Sequence, residues 1–439
     1  MGRIEVINGQ ARQDEDTCPL PRVLLLTHRV PCPPDRGDRI RSYHLLRALS
    51  RRANVTLGAI SDEPLSRVQR DLLGSLVEVA LVLPTDRWAM RRRAGMALLT
   101  GRAITPGAHF HPGLARALAK QHRRQPFDTV VTYCSGMLAY TRGLLGYGGA
   151  NRPRHILDLV DVDSVKWSQY AERARGPMGL VYAAEARRLR RAEAGELVHF
   201  DAVTLISEQE REAYRQRVTS GIEPVVAGNG VDLTHFVPEV ALAEADREPV
   251  VVFTGVLSYR PNIDAAAWFA RRVMPRVLAA APRARFDIIG KSPTAEVLAL
   301  GELPGVRVVG PVTSTADHLR GAALAVAPLR IAPGLQNKVL EAMACGRPVV
   351  CSPEAAAGID ATPGTHLLVA DDDAATARQV VSLLHNPEQR ARLGDAARQQ
   401  VETHYDWPAR LSPLLDLILK ADIPRNPIGT PTYNVQTTV

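Results

Sequence analysis

Lys338 and Glu341 stand three residues apart behind Gly334-Leu335-Gln336-Asn337, a spacing that can grip a nucleoside diphosphate. Residues three apart share one face of a helix. A cation there suits a diphosphate, and a carboxylate suits the diol of a ribose. Gly334 is expected to open the helix, where backbone can come close to a ligand and unpaired N–H groups attract phosphate oxygens. The same spacing also fits a plain surface ion pair on a βα unit, which contributes little. Two further cations favour the ligand. Arg260 lies in Thr254-Gly255-Val256-Leu257-Ser258-Tyr259-Arg260-Pro261-Asn262, and Lys291 follows Gly290. Each alone reads as a solvated loop residue; with Lys338 they form three cations at strand ends.

A second dense stretch runs His28-Arg29-Val30-Pro31-Cys32-Pro33-Pro34-Asp35-Arg36-Gly37-Asp38-Arg39-Ile40-Arg41. Prolines stiffen it, and Gly37 permits a turn near a helix start. It leaves a buried strand at the carboxyl end, where doubly wound sheets bind ligands. A rigid, charged solvent loop is the plainer account. Further on, Asp161-Val162-Asp163-Ser164 follows another apolar run. Its carboxylates could hold an acceptor hydroxyl or act as a base, and Asp-x-Asp also occurs at metal sites. Asp163 or Ser164 could instead cap the helix that carries Trp167 and Tyr170. The tract Asp371-Asp372-Asp373 could suggest metal binding, but it precedes a helix start, where acidic residues suit the dipole and capping fits better.

Alternating apolar runs and helical patterns must position these residues. Strands are expected near 22–27, 54–60, 77–83, 128–133, 155–160, 202–207 and 223–227. A second set follows near 250–254, 285–289, 306–309, 323–327, 348–351 and 367–369. That rhythm predicts parallel, doubly wound sheets. The boundaries read as a loose stretch at 1–20, a first domain at 21–230, a second at 231–406, a crossing helix at 407–421 and a disordered tail at 422–439. At 439 residues the chain exceeds one core.

Four stretches carry a family resemblance: the His28–Arg41 loop, the Asp161 region, the Thr254–Asn262 loop and Gly334–Val350. Together they resemble glycosyltransferase family 4, and within it a bacterial exopolysaccharide subfamily found beside the exosortase system. The resemblance spans about residue 22 to about residue 407. It implies the GT-B fold, two Rossmann-like domains facing a cleft, and a retaining, metal-independent transferase. The donor would be a UDP- or GDP-linked sugar, with no further cofactor, and the acceptor a glycan or a lipid-linked glycan. The implied donor set is Gly37, Gly255, Arg260, Lys291, Gly334, Leu335, Gln336, Asn337, Lys338 and Glu341. Asp161 and Asp163, with His28, Arg29, Asp35, Arg39 and Arg41, would meet the acceptor. Asp161, Asp163, Lys338 and Glu341 would carry the catalysis. Two positions depart from the family pattern: Pro333 replaces the first Glu of an E-x7-E pair, and Val256 an Arg. Another GT-B sugar-nucleotide enzyme, epimerase-like, or a non-catalytic scaffold in a polysaccharide complex are the alternatives.

Composition narrows the rest. Hydrophobic residues make up 46% and charged residues 23%, an ordinary globular balance. Five cysteines, odd in number and scattered, favour a reducing compartment. No signal-like segment opens the chain, and no apolar run nears the ~18 residues that span a bilayer. A cytoplasmic enzyme is expected. The net charge of +8 suits phosphate ligands or an anionic membrane face. Nucleic acid is not expected, because no recognition motif accompanies the charge. Arg87-Trp88-Ala89-Met90-Arg91-Arg92-Arg93, followed by Met96, Leu98 and Leu99, reads as a basic amphipathic helix that could rest on the inner membrane. An ordinary surface helix with one buried face fits the same residues.

Overall fold

The structure, a computed structural model, describes residues 4–9, 19–34, 37–145, 152–174, 176–218, 221–239, 249–330 and 334–420. It divides into two compact units, Met1–Gly228 with Leu411–Val439, and Asn229–Arg410. Asp35, Pro333 and the tail expected at 422–439 lie outside the described residues.

The first unit holds β1 (Glu5–Asn8), β2 (Arg22–Thr27), β3 (Asn54–Ser61), β4 (Val79–Pro84), β5 (Thr129–Tyr133), β6 (Arg154–Val160), β7 (Ala202–Leu205) and β8 (Val225–Val226). They lie in the order β1-β4-β3-β2-β5-β6-β7-β8. All pairs are parallel except β1 with β4. Val23 to Leu26 are wholly buried, the continuous apolar run a strand covered on both faces requires. The loose N-terminal stretch expected at 1–20 does not extend to Glu5–Asn8, which pair antiparallel with Val79–Val82.

The second unit holds β9 (Val250–Thr254), β10 (Arg285–Ile289), β11 (Val306–Gly310), β12 (Leu324–Ala327), β13 (Val349–Cys351) and β14 (Leu368–Val369). Their order is β11-β10-β9-β12-β13-β14, all parallel. In both sheets the order reverses beside the central strand: between β2 and β5 in the first, and between β9 and β12 in the second. Loops diverge at such a point and leave a crevice at the carboxyl ends of the strands.

Three local expectations meet the structure. Asp372 caps the helix Asp373–His385 by accepting from the Ala375 amide at 2.6 Å. The helix Arg87–Leu99 forms, but Arg93 turns inward and donates to Ala108 O at 2.9 Å and Thr85 Oγ1 at 2.8 Å. Trp88, Met96, Leu98 and Leu99 face outward. Among the described residues no helix is long and apolar enough to cross a membrane. Burial pushes the thiols of Cys345 and Cys351 up to about 12, so both behave as small core residues.

Candidate active site

In the second unit, three strand-end loops are stitched by backbone hydrogen bonds. The Gly255 amide donates to Ile289 O at 3.0 Å, Gly290 N to Gly310 O at 2.8 Å, and Leu257 N to Lys291 O at 2.8 Å. The approach excludes side chains: a Cβ at position 290 would lie 1.6 Å from Gly255 O. A Cβ at 255 would lie 2.7 Å from Asn262 Nδ2 and 3.1 Å from Lys338 Nζ. Gly255 and Gly290 also hold φ of +158° and +153°, backbone that L side chains rarely adopt.

The helix that carries the cation begins at Asn337 and ends at Ala344, so Gly334 precedes it rather than opening it. Gly334 holds φ +71° and its carbonyl accepts from Gln336 Nε2 at 3.1 Å. Gln336 is the N-cap residue and makes no side-chain cap bond. Arg398 steadies the other end, donating to Ala344 O at 2.6 Å. Val339, Leu340, Ala342, Met343 and Ala344 are buried, which fixes the helix against the sheet.

Lys338 points back toward β9. Its ammonium donates to Asn262 Oδ1 at 2.5 Å and stands 4.5 Å from the Phe253 ring centroid. Asn262 is aimed by its own amide, which donates to Val256 O at 2.9 Å. The charge therefore meets a neutral amide and an aromatic face rather than a carboxylate at contact distance. Burial pushes Lys338 down to about 7, with Glu341 opposing the shift. Burial likewise pushes Glu341 up to about 7, against the pull of Lys338. One residue earlier in the helix, Asn337 Oδ1 is buried with no hydrogen-bond partner among the described residues. Lys338, Glu341 and the Gly255 turn thus make one polar nook with capacity for an anion.

The other expected donor cations are placed differently. Arg260 is 70% exposed and pairs with Glu296 at 3.1 Å. Lys291 is exposed after the Gly290 turn, and Leu335 is half-buried. Gly37 begins the helix Gly37–Leu49 of the first unit.

In the first unit, the switch point carries His28 after β2 and Cys134 after β5. His28 Nδ1 is 3.2 Å from Cys134 Sγ, and the imidazole stacks on Tyr133 with centroids 5.8 Å apart. His109 meets His28 edge-on at 5.6 Å, and burial, then the charge of His28, pushes His109 down to about 4. Arg29 lies 3.6 Å from Asp62, and Arg39 is half-buried. Arg41, expected to meet an acceptor, instead turns into the core with 1% of its side chain exposed. It forms a two-pronged pair with Asp158, both bonds 2.8 Å, and donates to Gly228 O at 3.1 Å. A buried carboxylate on β6 needs a buried cation, and Arg41 supplies it.

Beyond Asp158 the chain turns sharply: Val160 holds φ +70°, a strained value for a β-branched residue. Neither Asp163 nor Ser164 caps the helix that follows, contrary to expectation. The helix Asp163–Arg173 has Val162 as its N-cap residue, with no side-chain cap bond. Its first amides are held from other helices: Val162 N donates to Glu210 Oε2 at 2.8 Å and Ser164 N to Glu193 Oε1 at 3.2 Å. Asp163 accepts from Ser135 Oγ. Asp161 is relieved of capping, and burial holds it above the usual carboxylate range; Lys166 opposes this and Asp163 adds to it.

Sequence reasoning did not select Asn262, Phe253, His109, Cys134, Glu193 or Glu210 as site residues. Asn262 had a signal, an amide in the first turn after a glycine loop. The two glutamates had none, since each lies on a separate, arginine-rich helix.

Residues 248–386 match the family model described as Glycosyl transferases group 1. The chain is 26% identical over 317 residues to a GDP-mannose-dependent monoacylated alpha-(1-6)-phosphatidylinositol monomannoside mannosyltransferase of Corynebacterium glutamicum, covering 67% of this chain and 77% of that one. Among solved structures it resembles a sucrose-phosphate synthase of Thermosynechococcus elongatus, with TM-score 0.64 and 18% identity over 90% of this chain and 98% of that one. It also resembles Anabaena HepE in complex with UDP-glucose, with TM-score 0.62 and 14% identity over 90% and 98%. Two parallel-sheet α/β units with these neighbours constitute the GT-B fold.

Proposed function

Taking a glycosyltransferase of GT-B fold as the premise, we propose that it moves a sugar from a nucleoside diphosphate donor to a glycan or lipid-linked acceptor, with retention and without a metal. The observation that carries this reading is Lys338, held by a neutral amide 2.5 Å away on a helix with no side-chain cap. When the bond from the anomeric carbon to the diphosphate breaks, the electron pair leaves with the phosphate oxygen. Lys338 and the amides at the start of its helix stabilise that charge, commonly a large catalytic contribution. Glu341 takes the ribose hydroxyls. In the first unit, Asp161 accepts the proton of the attacking hydroxyl, and His28 orients the acceptor.

UDP- and GDP-linked sugars are both candidate donors. The mannosyltransferase relative uses GDP-mannose and Anabaena HepE is bound to UDP or UDP-glucose, and nothing in the nook itself discriminates the base. The opening loop supports a place in bacterial exopolysaccharide assembly. The outward Trp88, Met96, Leu98 and Leu99, beside exposed Arg91 and Arg92, support a reversible seat on an anionic membrane at the cytoplasmic side. The test is a product assay with UDP- and GDP-sugars, extracted bacterial lipid-linked oligosaccharides and excess EDTA, read by NMR at the anomeric carbon. Transfer with the donor's configuration is expected. An inverted linkage, or turnover that EDTA stops and magnesium or manganese restores, contradicts the proposal.

A further inference from the structure

The first unit holds a cavity of about 680 Å³ that the donor and acceptor residues do not use. The helices Arg87–Leu99, Ile104–His109 and Pro177–Leu197 contribute to its walls. Met96, Ala97 and Phe110 supply apolar lining, and Arg188 and Arg191 supply charge. Four of the lining residues are arginines and one, Glu196, is a carboxylate, so the cavity favours an anion. Arg188 Nη1 is buried and has no hydrogen-bond partner among the described residues. A buried guanidinium nitrogen without an acceptor is costly unless a ligand provides one.

Two of the helices that wall the cavity also expose large apolar side chains. Trp88 is 73% exposed and Leu99 84% on the first of these helices, and Leu180 is 76% exposed on the helix that carries Arg188. Large apolar side chains presented together with arginines suit the boundary of an anionic bilayer. The segment Ile104–Phe110 links the cavity to the acceptor residues: Phe110 lines the cavity, while His109 packs against His28.

We propose that this cavity takes the phosphate and the adjoining hydrocarbon of an anionic lipid, with the phosphate on Arg188 and Arg191 and the chain along Met96, Ala97 and Phe110. The inference deepens the lipid-linked acceptor named above and rests on it. The hydrocarbon displaces water from apolar walls, and the phosphate satisfies Arg188. Neither part alone accounts for both features of the lining.

The test is calorimetric titration of the full chain with dodecyl phosphate below its micelle concentration, beside dodecyl maltoside and inorganic phosphate. Dodecyl phosphate should bind one to one, and each of the other two at least about 10-fold more weakly, since each lacks half the recognition. The double variant R188Q/R191Q should lose at least about 10-fold, the scale of one charge-assisted hydrogen bond. Ala192→Phe, which fills the cavity without altering charge, should weaken dodecyl phosphate and leave nucleoside diphosphate binding unchanged. That second ligand, titrated into the same samples, reports folding and the donor nook separately. Equal binding of dodecyl maltoside or of inorganic phosphate overturns the proposal, as does wild-type affinity in both variants. Loss of nucleoside diphosphate binding by the wild type would instead sink the donor reading and leave the cavity result standing.

Discussion

The two units solve opposite electrostatic problems with similar sheets. In the second, the principal cation is left without a carboxylate at contact distance: Lys338 has Asn262 and the face of Phe253. In the first, the buried cation is fully matched, Arg41 lying on Asp158 with two 2.8 Å bonds. An unmatched, desolvated ammonium is a standing invitation to an anion. A matched pair fixes the strand-end loops and offers nothing to a ligand. Residue type alone therefore does not mark a site; the partner decides it.

The largest effect that could break this contrast lies in the first unit. Asp158→Leu should cost about 3–5 kcal/mol of stability in chemical denaturation, because it strands the Arg41 charge in the core. Adding Arg41→Met should restore most of that loss. If the double variant stays as unstable as the single one, the pair does more than neutralise itself.

The second unit answers to pH. Lys338 is held near 7 against an ordinary 10.5, so its charge is lost as pH rises past neutrality. The unfolded chain keeps that proton to about 10.5, so the penalty this group places on the folded protein is full below about 7 and shrinks as pH rises from 7 toward 10.5. An anion needs the charged form. Inorganic pyrophosphate should bind more weakly as pH goes from 7 to 9, by at most about 10-fold per unit. Lys338→Arg should flatten that slope, since a guanidinium does not titrate there. A wild-type slope equal to that of the Arg variant would show that Lys338 stays charged throughout.

A smaller change sharpens the role of Asn262. Asn262→Ala should weaken nucleoside diphosphate binding by about 2- to 12-fold, the worth of one ordinary hydrogen bond. It should do so without altering Asp161-dependent steps, which belong to the other unit. Unchanged affinity would mean that Phe253 and Glu341 suffice to aim the ammonium.

What was legible in the sequence follows from range. Thirteen of the strands arise from apolar runs or short valine pairs between helical patterns, and the residues expected to form them do. Glu5–Asn8 was not legible, because a four-residue antiparallel edge strand has no distinctive pattern and depends on its partner Val79–Val82. Lys338 and Glu341 were legible because their geometry is set within one helical turn. The misplacement of Arg41 has the opposite cause: its partner lies 117 residues away, and a charge-rich loop gives no hint which arginine turns inward. The capping of the Asp163 helix by Glu193 and Glu210 was illegible for the same reason. Local propensity nominated Asp163 and Ser164, and tertiary packing supplied carboxylates from two other helices.

The central claim, that Lys338 and Glu341 hold the donor's diphosphate and ribose, is tested most directly by calorimetric titration of UDP and GDP into the wild type, Lys338→Ala and Glu341→Ala. Each variant should fold normally and bind its preferred nucleotide about 10- to 150-fold more weakly, as expected for the loss of a charged hydrogen-bonding group. Lys338→Ala should also lose affinity for pyrophosphate, whereas Glu341→Ala should lose affinity only for the nucleoside-bearing ligand. Wild-type affinity in both variants would place the donor elsewhere and contradict the account.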